Sequence, residues 1–104
     1  MRGLTRSIKM ASVVATLKIM PESPETDLSL IEKEAKKLIM QFTERGSSQE
    51  FKVNIVPIAF GLKAVEILFV MDEKKGSTEE LEKQISAIRG VASAETTDVR
   101  RAVG

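Results

Sequence analysis

The apolar residues of this chain follow two periods, and the first is the two-residue period of a β-strand. Residues 12–20 alternate, and one of their faces is aliphatic throughout: Val13, Ala15, Leu17 and Ile19. Residues 50–56 alternate again, and Pro57 after them predicts an edge strand, because proline has no amide hydrogen for a neighbouring strand. Residues 62–71 are apolar on both faces, which predicts a central strand. Residues 91–99 form a weaker fourth strand.

Between these strands, the apolar residues recur with the period of an α-helix. From about Asp27 to Arg45, apolar residues recur at spacings of four and three and predict one buried helical face: Ile31, Ala35, Leu38 and Phe42. A second helix is expected from Ser77, since Ser77–Glu80 has the form of a capping box, in which a hydroxyl and a carboxylate satisfy reciprocal backbone donors. Its buried stripe is Leu81, Ile85 and Ile88, and Gly90 ends it.

The resulting order, β-α-β-β-α-β, is that of the ferredoxin-like, or split βαβ, fold. This α+β fold has a four-stranded antiparallel sheet in the spatial order 4-1-3-2, with two helices on one face. The order places the strand that is apolar on both faces in the centre and the strand that ends at Pro57 at an edge, so two features of the sequence agree with it. Residues 1–9 show no period and are expected to be a disordered extension of a single domain at residues 10–104.

The amino-acid composition limits the kinds of binding and catalytic site that the chain can form. Its 104 residues include 16 basic and 15 acidic ones, spread along the sequence, so binding of nucleic acid through a strong positive field is not indicated. His and Cys are absent, which excludes disulfides, thiolate nucleophiles, imidazole acid–base chemistry and the common zinc sites. No run approaches the roughly 20 apolar residues of a membrane span, and no signal-peptide pattern occurs. We therefore expect a cytoplasmic protein with no direct membrane contact.

Three segments carry a family likeness: MASVVATLKIMPESPETDL from Met10, PIAFGLKA at residues 57–64 and TDVRR at residues 97–101. They resemble, in order, the start, the middle motif PI-[AG]-FG-[IL]-K and the closing motif of the archaeal elongation factor 1-beta family, over about residues 10–101. The resemblance implies a guanine-nucleotide exchange factor for elongation factor 1-alpha, the GTPase that delivers aminoacyl-tRNA to the ribosome. Such a protein promotes GDP release and GTP reloading; it is not an enzyme and needs no cofactor.

The resemblance also assigns candidate partner-binding residues in the middle motif. Phe60 is interpreted as an aromatic anchor that enters a pocket of the GTPase; the alternative is that it folds back onto its hairpin. Gly61 is expected to supply a positive φ or room for close approach. Lys63 either contacts a carboxylate of the partner or lies solvated at the start of its strand.

The closing segment departs from the eukaryotic pattern. Eukaryotic relatives carry a lysine next to the final residue, and that lysine is implicated in displacing the magnesium ion of the partner. The penultimate residue here is Val103, so that role does not transfer. Arg100 and Arg101 are nearby cations that could act on the same acidic or phosphate groups; the alternative is a solubilising tail after the last strand.

The sheet face opposite the helices is predicted to be more apolar than a solvated face requires, with Val14, Leu62, Ala64, Leu68 and Val70. Such a face is a candidate for a partner contact or for self-association, unless Lys18, Glu66 and the extension cover it in part. A small-molecule-binding regulatory module and an RNA-binding module stay open as other functions. The latter needs aromatic side chains on adjacent central strands, and only Phe69 lies on one, on the face assigned to the helices.

Overall fold

The computed structural model describes residues 12–101, so the expectation for residues 1–9 lies outside its range. The elements are β1 (Ser12–Pro21), α1 (Leu28–Thr43), β2 (Phe51–Pro57), β3 (Lys63–Asp72), α2 (Glu79–Ser86) and β4 (Val91–Arg101). The strands form one antiparallel sheet in the order β2-β3-β1-β4. The ferredoxin-like prediction is confirmed, with the doubly apolar strand in the centre and the strand that ends at Pro57 at an edge.

Both helices pack on one face of the sheet, because alternate side chains of the two central strands form a continuous apolar layer there. The buried layer comprises Val13, Ala15, Leu17, Ile19, Val65, Ile67, Phe69, Met71 and Val91 from the strands, with Ile31, Ala35, Ile39, Leu81 and Ile85 from the helices. On α1 the buried column continues through Ile39 and Thr43, whereas the predicted Leu38 and Phe42 lie beside it and are partly buried. The apolar stripe of α1 is therefore wider than the predicted one.

The start of α2 differs from the predicted capping box. Thr78, not Ser77, is the N-cap, and the Ser77 hydroxyl accepts the Glu79 N–H at 3.0 Å. The Thr78 hydroxyl faces the protein, where it contacts Glu82 and Thr96. The hydrogen bond to Thr96 joins the start of the helix to a strand that is distant in sequence, which a sequence motif alone does not reveal.

The end of α2 is also earlier than expected. The helix stops at Ser86, and Ile88 packs against the core from the turn that follows. Gly90 adopts a φ of +92°, and a Cβ there would come within 2.9 Å of Thr26 Cγ2. Glycine is therefore required at this position both for its backbone conformation and for the close approach of the β1–α1 loop.

The last strand is longer and less regular than predicted. β4 runs to Arg101, so Arg100 and Arg101 belong to the strand, and the interpretation of a tail after it is wrong. Ala92 and Thr97 have no partner on β1, because the register shifts at both positions. These two bulges break the two-residue period, which explains the weak strand signal.

The face of the sheet away from the helices is mixed in character. The predicted Val14, Leu68 and Val70 lie on it and are half-buried, whereas Ala64 is fully buried. Lys18 lies between Glu66 of β3 and Glu95 of β4, so a row of charges divides the apolar surface. We call the face of the sheet away from the helices the open face.

None of the helices between residues 12 and 101 has the length and apolar character that crossing a membrane requires.

Candidate functional site

The motif PIAFGLK forms the turn between β2 and β3. Pro57 and Lys63 are the last residues that pair across the two strands. Beyond them, the Ile58 N–H donates to the Leu62 carbonyl at 2.7 Å, and the Leu62 N–H donates to the Ala59 carbonyl at 3.2 Å. Two backbone hydrogen bonds therefore fix the shape of the turn that presents residues 59–61, which we call the hairpin tip.

Phe60 at this tip leaves 94% of its surface exposed. Its backbone is left-handed, with φ of 62° and ψ of 32°, a conformation that costs an L-residue with a side chain about 1–2 kcal/mol. The alternative that Phe60 folds back onto the hairpin is wrong, because an exposed ring packs on nothing. A bulky aromatic that is both strained and solvent-exposed does not serve the core, and backbone strain of this kind clusters at functional sites.

The other two predicted residues of the motif lie beside Phe60. Gly61 has a φ of +77°, which confirms the expected positive φ. A Cβ on Gly61 would lie 3.9 Å from Pro24 Cγ, so the tip passes next to the β1–α1 loop. Lys63 opens β3 and is exposed, which leaves its ammonium available to a partner.

The β1–α1 loop next to the tip is itself held in place. The Glu22 N–H donates to the Gly90 carbonyl at 2.9 Å, and the Ser23 N–H donates to the Thr26 hydroxyl at 3.2 Å. Leu30 lines a groove of about 550 Å³ beside this loop, and most of its side chain is exposed. The sequence indicates an exposed apolar side chain here, because Leu30 lies in the first turn after the cap at Asp27 and off the buried stripe.

Arg100 and Arg101 lie on different faces of the sheet. Arg100 pairs with Val14 and projects from the open face, where its Nε donates to Asp98 Oδ2 at 2.8 Å. Arg101 pairs with Val13 on the helix side, and its Nη2 donates to Glu73 Oε2 at 3.0 Å. Both pairs are solvent-exposed, and such pairs contribute only about 0–1 kcal/mol, so either arginine can exchange its carboxylate for another anion at little cost.

A third cation near these arginines is less available. Lys75 donates to Glu44 Oε2 at 2.8 Å, and its Nζ lies 5.6 Å from the centroid of the Phe42 ring. The hydrogen bond from Lys75 and its charge lower the pKa of the Glu44 carboxyl. Because Lys75 is held by two neighbours and is mostly covered, Arg100 and Arg101 are the more accessible cations of this part of the molecule.

The predicted site residues fall into two groups at opposite ends of the sheet. Lys63 precedes Val65, which pairs with Ile19, whereas Arg100 pairs with Val14. The five-residue step between those two β1 positions spans about 17 Å at about 3.3 Å per residue, and the hairpin tip lies farther out still. The structure brings Phe60, Gly61 and Lys63 together, and it does not bring the two arginines to them.

The described residues give little support for a metal site or for an RNA-binding surface. Between residues 12 and 101, no group of three or more acidic side chains is placed to hold a metal ion. None of the four phenylalanines lies on the open face: Phe51 and Phe69 pair on the helix side, Phe42 is on α1 and Phe60 is at the tip. The open face therefore offers no aromatic platform for the bases of RNA.

The matches to this chain by sequence share one description. The EF-1 guanine nucleotide exchange domain matches residues 14–102. Elongation factor 1-beta of Methanothermobacter thermautotrophicus is 45% identical over 92 residues, covering 88% of this chain and 98% of that protein. The protein of the same name from Methanobrevibacter smithii is 44% identical with the same coverage. Among solved structures, the C-terminal domain of MgtC from Mycobacterium tuberculosis is 13% identical over 93% of each chain, with a TM-score of 0.47, too low to bear on function.

Proposed function

The chain belongs to the family of EF-1 guanine nucleotide exchange domains, and we infer from this membership that it is a guanine-nucleotide exchange factor for elongation factor 1-alpha. It promotes the release of GDP so that GTP can bind. The observation that carries the molecular part of this proposal is the strained, solvent-exposed Phe60 at the hairpin tip. The proposal places the protein in the cytoplasm, where ribosomes translate.

Phe60 supplies the main anchor on the GTPase. Burying a Phe side chain against a partner contributes about 1.5–3 kcal/mol through the apolar area removed from water. The backbone hydrogen bonds across the turn keep the tip in one conformation before binding, so little ordering cost accompanies the contact. Lys63, exposed at the base of the same turn, adds a charge that favours a carboxylate beside the pocket.

Arg100 and Arg101 supply a second contact at the other end of the sheet. A GTPase holds its nucleotide through phosphate and magnesium contacts, so cations that compete for the acidic groups around them weaken that hold. An exchange factor accelerates release by binding the nucleotide-poor conformation of the GTPase better than the loaded one. No covalent bond changes in this process, and we therefore propose a binding protein and not an enzyme.

The proposal is tested by the release of fluorescent GDP from purified elongation factor 1-alpha. We expect the release rate to rise with the concentration of this protein and to saturate. Phe60→Ala should act only at much higher concentrations, whereas Ile55→Ala, which truncates another exposed apolar residue, should behave like the wild type. No acceleration by the wild-type protein would contradict the exchange function. Full activity of Phe60→Ala would leave the function standing and remove Phe60 from the site.

A further inference from the structure

The bulge in β4 decides which side chains face which side of the sheet. Thr16 pairs with Asp98 and Leu17 pairs with Thr96, so Thr97 is an extra residue without a partner. In an antiparallel ladder a shift of one residue moves each following side chain to the opposite face. The placement of the residues after Thr97, and of both arginines among them, therefore depends on the bulge staying where it is.

A cluster of hydrogen bonds from α2 holds the strand at this point. Glu82 Oε2 accepts the Thr96 N–H at 2.8 Å and the Thr78 hydroxyl at 3.2 Å. The Thr78 and Thr96 hydroxyls are 2.6 Å apart. Since the hydrogen of Thr78 goes to Glu82, Thr96 is the donor between the two hydroxyls. One carboxylate thus ties the first turns of the helix to the backbone of the bulged strand.

The side chains of this cluster are partly buried, so the loss of one of its hydrogen bonds lowers the stability of the fold. Thr78 is buried and Glu82 is half-buried. Both line a cavity of about 510 Å³, together with Val13 and Val99. Removal of an acceptor from a shielded donor leaves that donor unsatisfied, which costs about 1–3 kcal/mol. Loss of the Glu82 carboxylate would leave the Thr96 amide in that state.

The alternative register shows what the cluster prevents. If β4 continued from Thr96 without a bulge, Asp98 would lie opposite Ala15, on the same side of the sheet as the Glu82 carboxylate. Arg100 would lie opposite Val13 and leave the open face. The observed register keeps Asp98 and Arg100 together on the open face, where they form an ion pair.

We propose that Glu82 is a positioning residue: by holding the bulge at Thr97, it keeps Arg100 on the open face and Arg101 on the helix side. The functional part of this inference rests on the proposed exchange activity, in which the arginines contact the partner. The structural part, the register of β4, stands without it.

The test uses Glu82→Ala, with Glu80→Ala as the control, because Glu80 is an exposed carboxylate on the same helix. The register is read by NMR from the cross-strand contact between the backbones of Arg100 and Val14. Exchange is read by GDP release. We expect Glu82→Ala to lose this contact and to slow release about tenfold, the factor that corresponds to about 1.4 kcal/mol. Glu80→Ala should keep both properties.

Deletion of Thr97 separates positioning from general damage. Without Thr97, the existing pairs Leu17–Thr96 and Thr16–Asp98 become consecutive, and the ladder is regular with no bulge to hold. We expect the deletion alone to fold with Arg100 opposite Val14, and the deletion combined with Glu82→Ala to recover both the contact and the rate.

Each arm has a result that overturns the inference. An Arg100–Val14 contact that survives in Glu82→Ala, a defect that the deletion of Thr97 does not rescue, or failure of the deletion variant to fold would each do so. If Glu82→Ala itself does not fold, the double variant decides, since it contains no bulge. If the wild-type protein fails to accelerate GDP release, the proposed function is wrong, and the NMR arm still decides whether Glu82 sets the register.

Discussion

The two ends of the sheet present different kinds of contact surface. The hairpin tip offers a single apolar ring on a turn whose backbone is fixed by local hydrogen bonds. The arginine end offers two exposed cations on an irregular edge strand, each already paired with a carboxylate of the same chain. The tip is therefore suited to a preformed apolar pocket, and the arginine end to anionic groups that can take the place of its own carboxylates.

This contrast implies that the two ends respond differently to solution conditions. Apolar burial depends little on ionic strength, whereas contacts between exposed charges are screened as salt is added. Substitutions at the two ends should therefore differ in size, in salt dependence and in their effect on folding stability.

The largest effect is expected from Phe60→Ala. Truncation of a buried aromatic anchor costs about 2 kcal/mol or more, equivalent to roughly thirtyfold in affinity. The free energy of unfolding should change by less than about 0.5 kcal/mol, because the ring contacts no core residue. Calorimetric titration of the GTPase and denaturant unfolding of the same variant measure both quantities. A stability loss of about 3–5 kcal/mol, typical of a core Phe, would contradict this account of the tip.

A smaller and salt-dependent effect is expected from the arginine end. Arg100→Ala and Arg101→Ala should each weaken binding by up to about tenfold at low ionic strength, since hydrogen bonds to charged groups contribute about 1.5–3 kcal/mol and their present partners must first be released. The difference from the wild type should shrink as salt rises from 50 to 500 mM, about the range over which charge screening becomes strong. Loss of binding that is equally large at both salt concentrations would indicate a packing role for these side chains.

The smallest expected effect is the change in folding stability caused by Phe60→Gly. Phe60→Gly places a residue without a Cβ at φ of 62°, which removes the strain, although glycine also gains freedom in the unfolded chain. We expect a net gain of about 0–1 kcal/mol in the free energy of unfolding, together with the same loss of binding as Phe60→Ala. A clear destabilisation by Phe60→Gly would show that the ring supports the turn.

The sequence predicts best where side chains are buried. β1 is correctly predicted because its two-residue period is unbroken, and β3 because it is apolar on both faces, as a central strand is. The end of β4 was missed because the bulges at Ala92 and Thr97 interrupt that period and both faces of the strand are largely exposed. The predicted capping box is wrong for a related reason: the N-cap residue, Thr78, forms a hydrogen bond with Thr96 on a strand that is distant in sequence.

The sequence indicates candidate site residues, whose roles stay predictions, but it does not indicate their geometry. Gly61 was assigned its positive φ because glycine favours it, whereas nothing in the sequence indicates that Phe60 also adopts one. The separation of Lys63 from Arg100 follows from the topology alone. Since β3 and β4 both run antiparallel to β1, the start of one and the end of the other lie at opposite ends of the sheet.

The measurement that tests this account most directly is a double-mutant cycle in GDP release from elongation factor 1-alpha. It compares the wild type, Phe60→Ala, the Arg100→Ala/Arg101→Ala variant and the three substitutions combined. Because the two ends are more than about 10 Å apart and share no residue, we expect both partial variants to lose activity and their free-energy losses to add within about 0.5 kcal/mol. A wild-type protein that leaves GDP release unchanged, or a combined variant no worse than Phe60→Ala alone, would contradict an exchange factor that contacts its GTPase with both ends of the sheet.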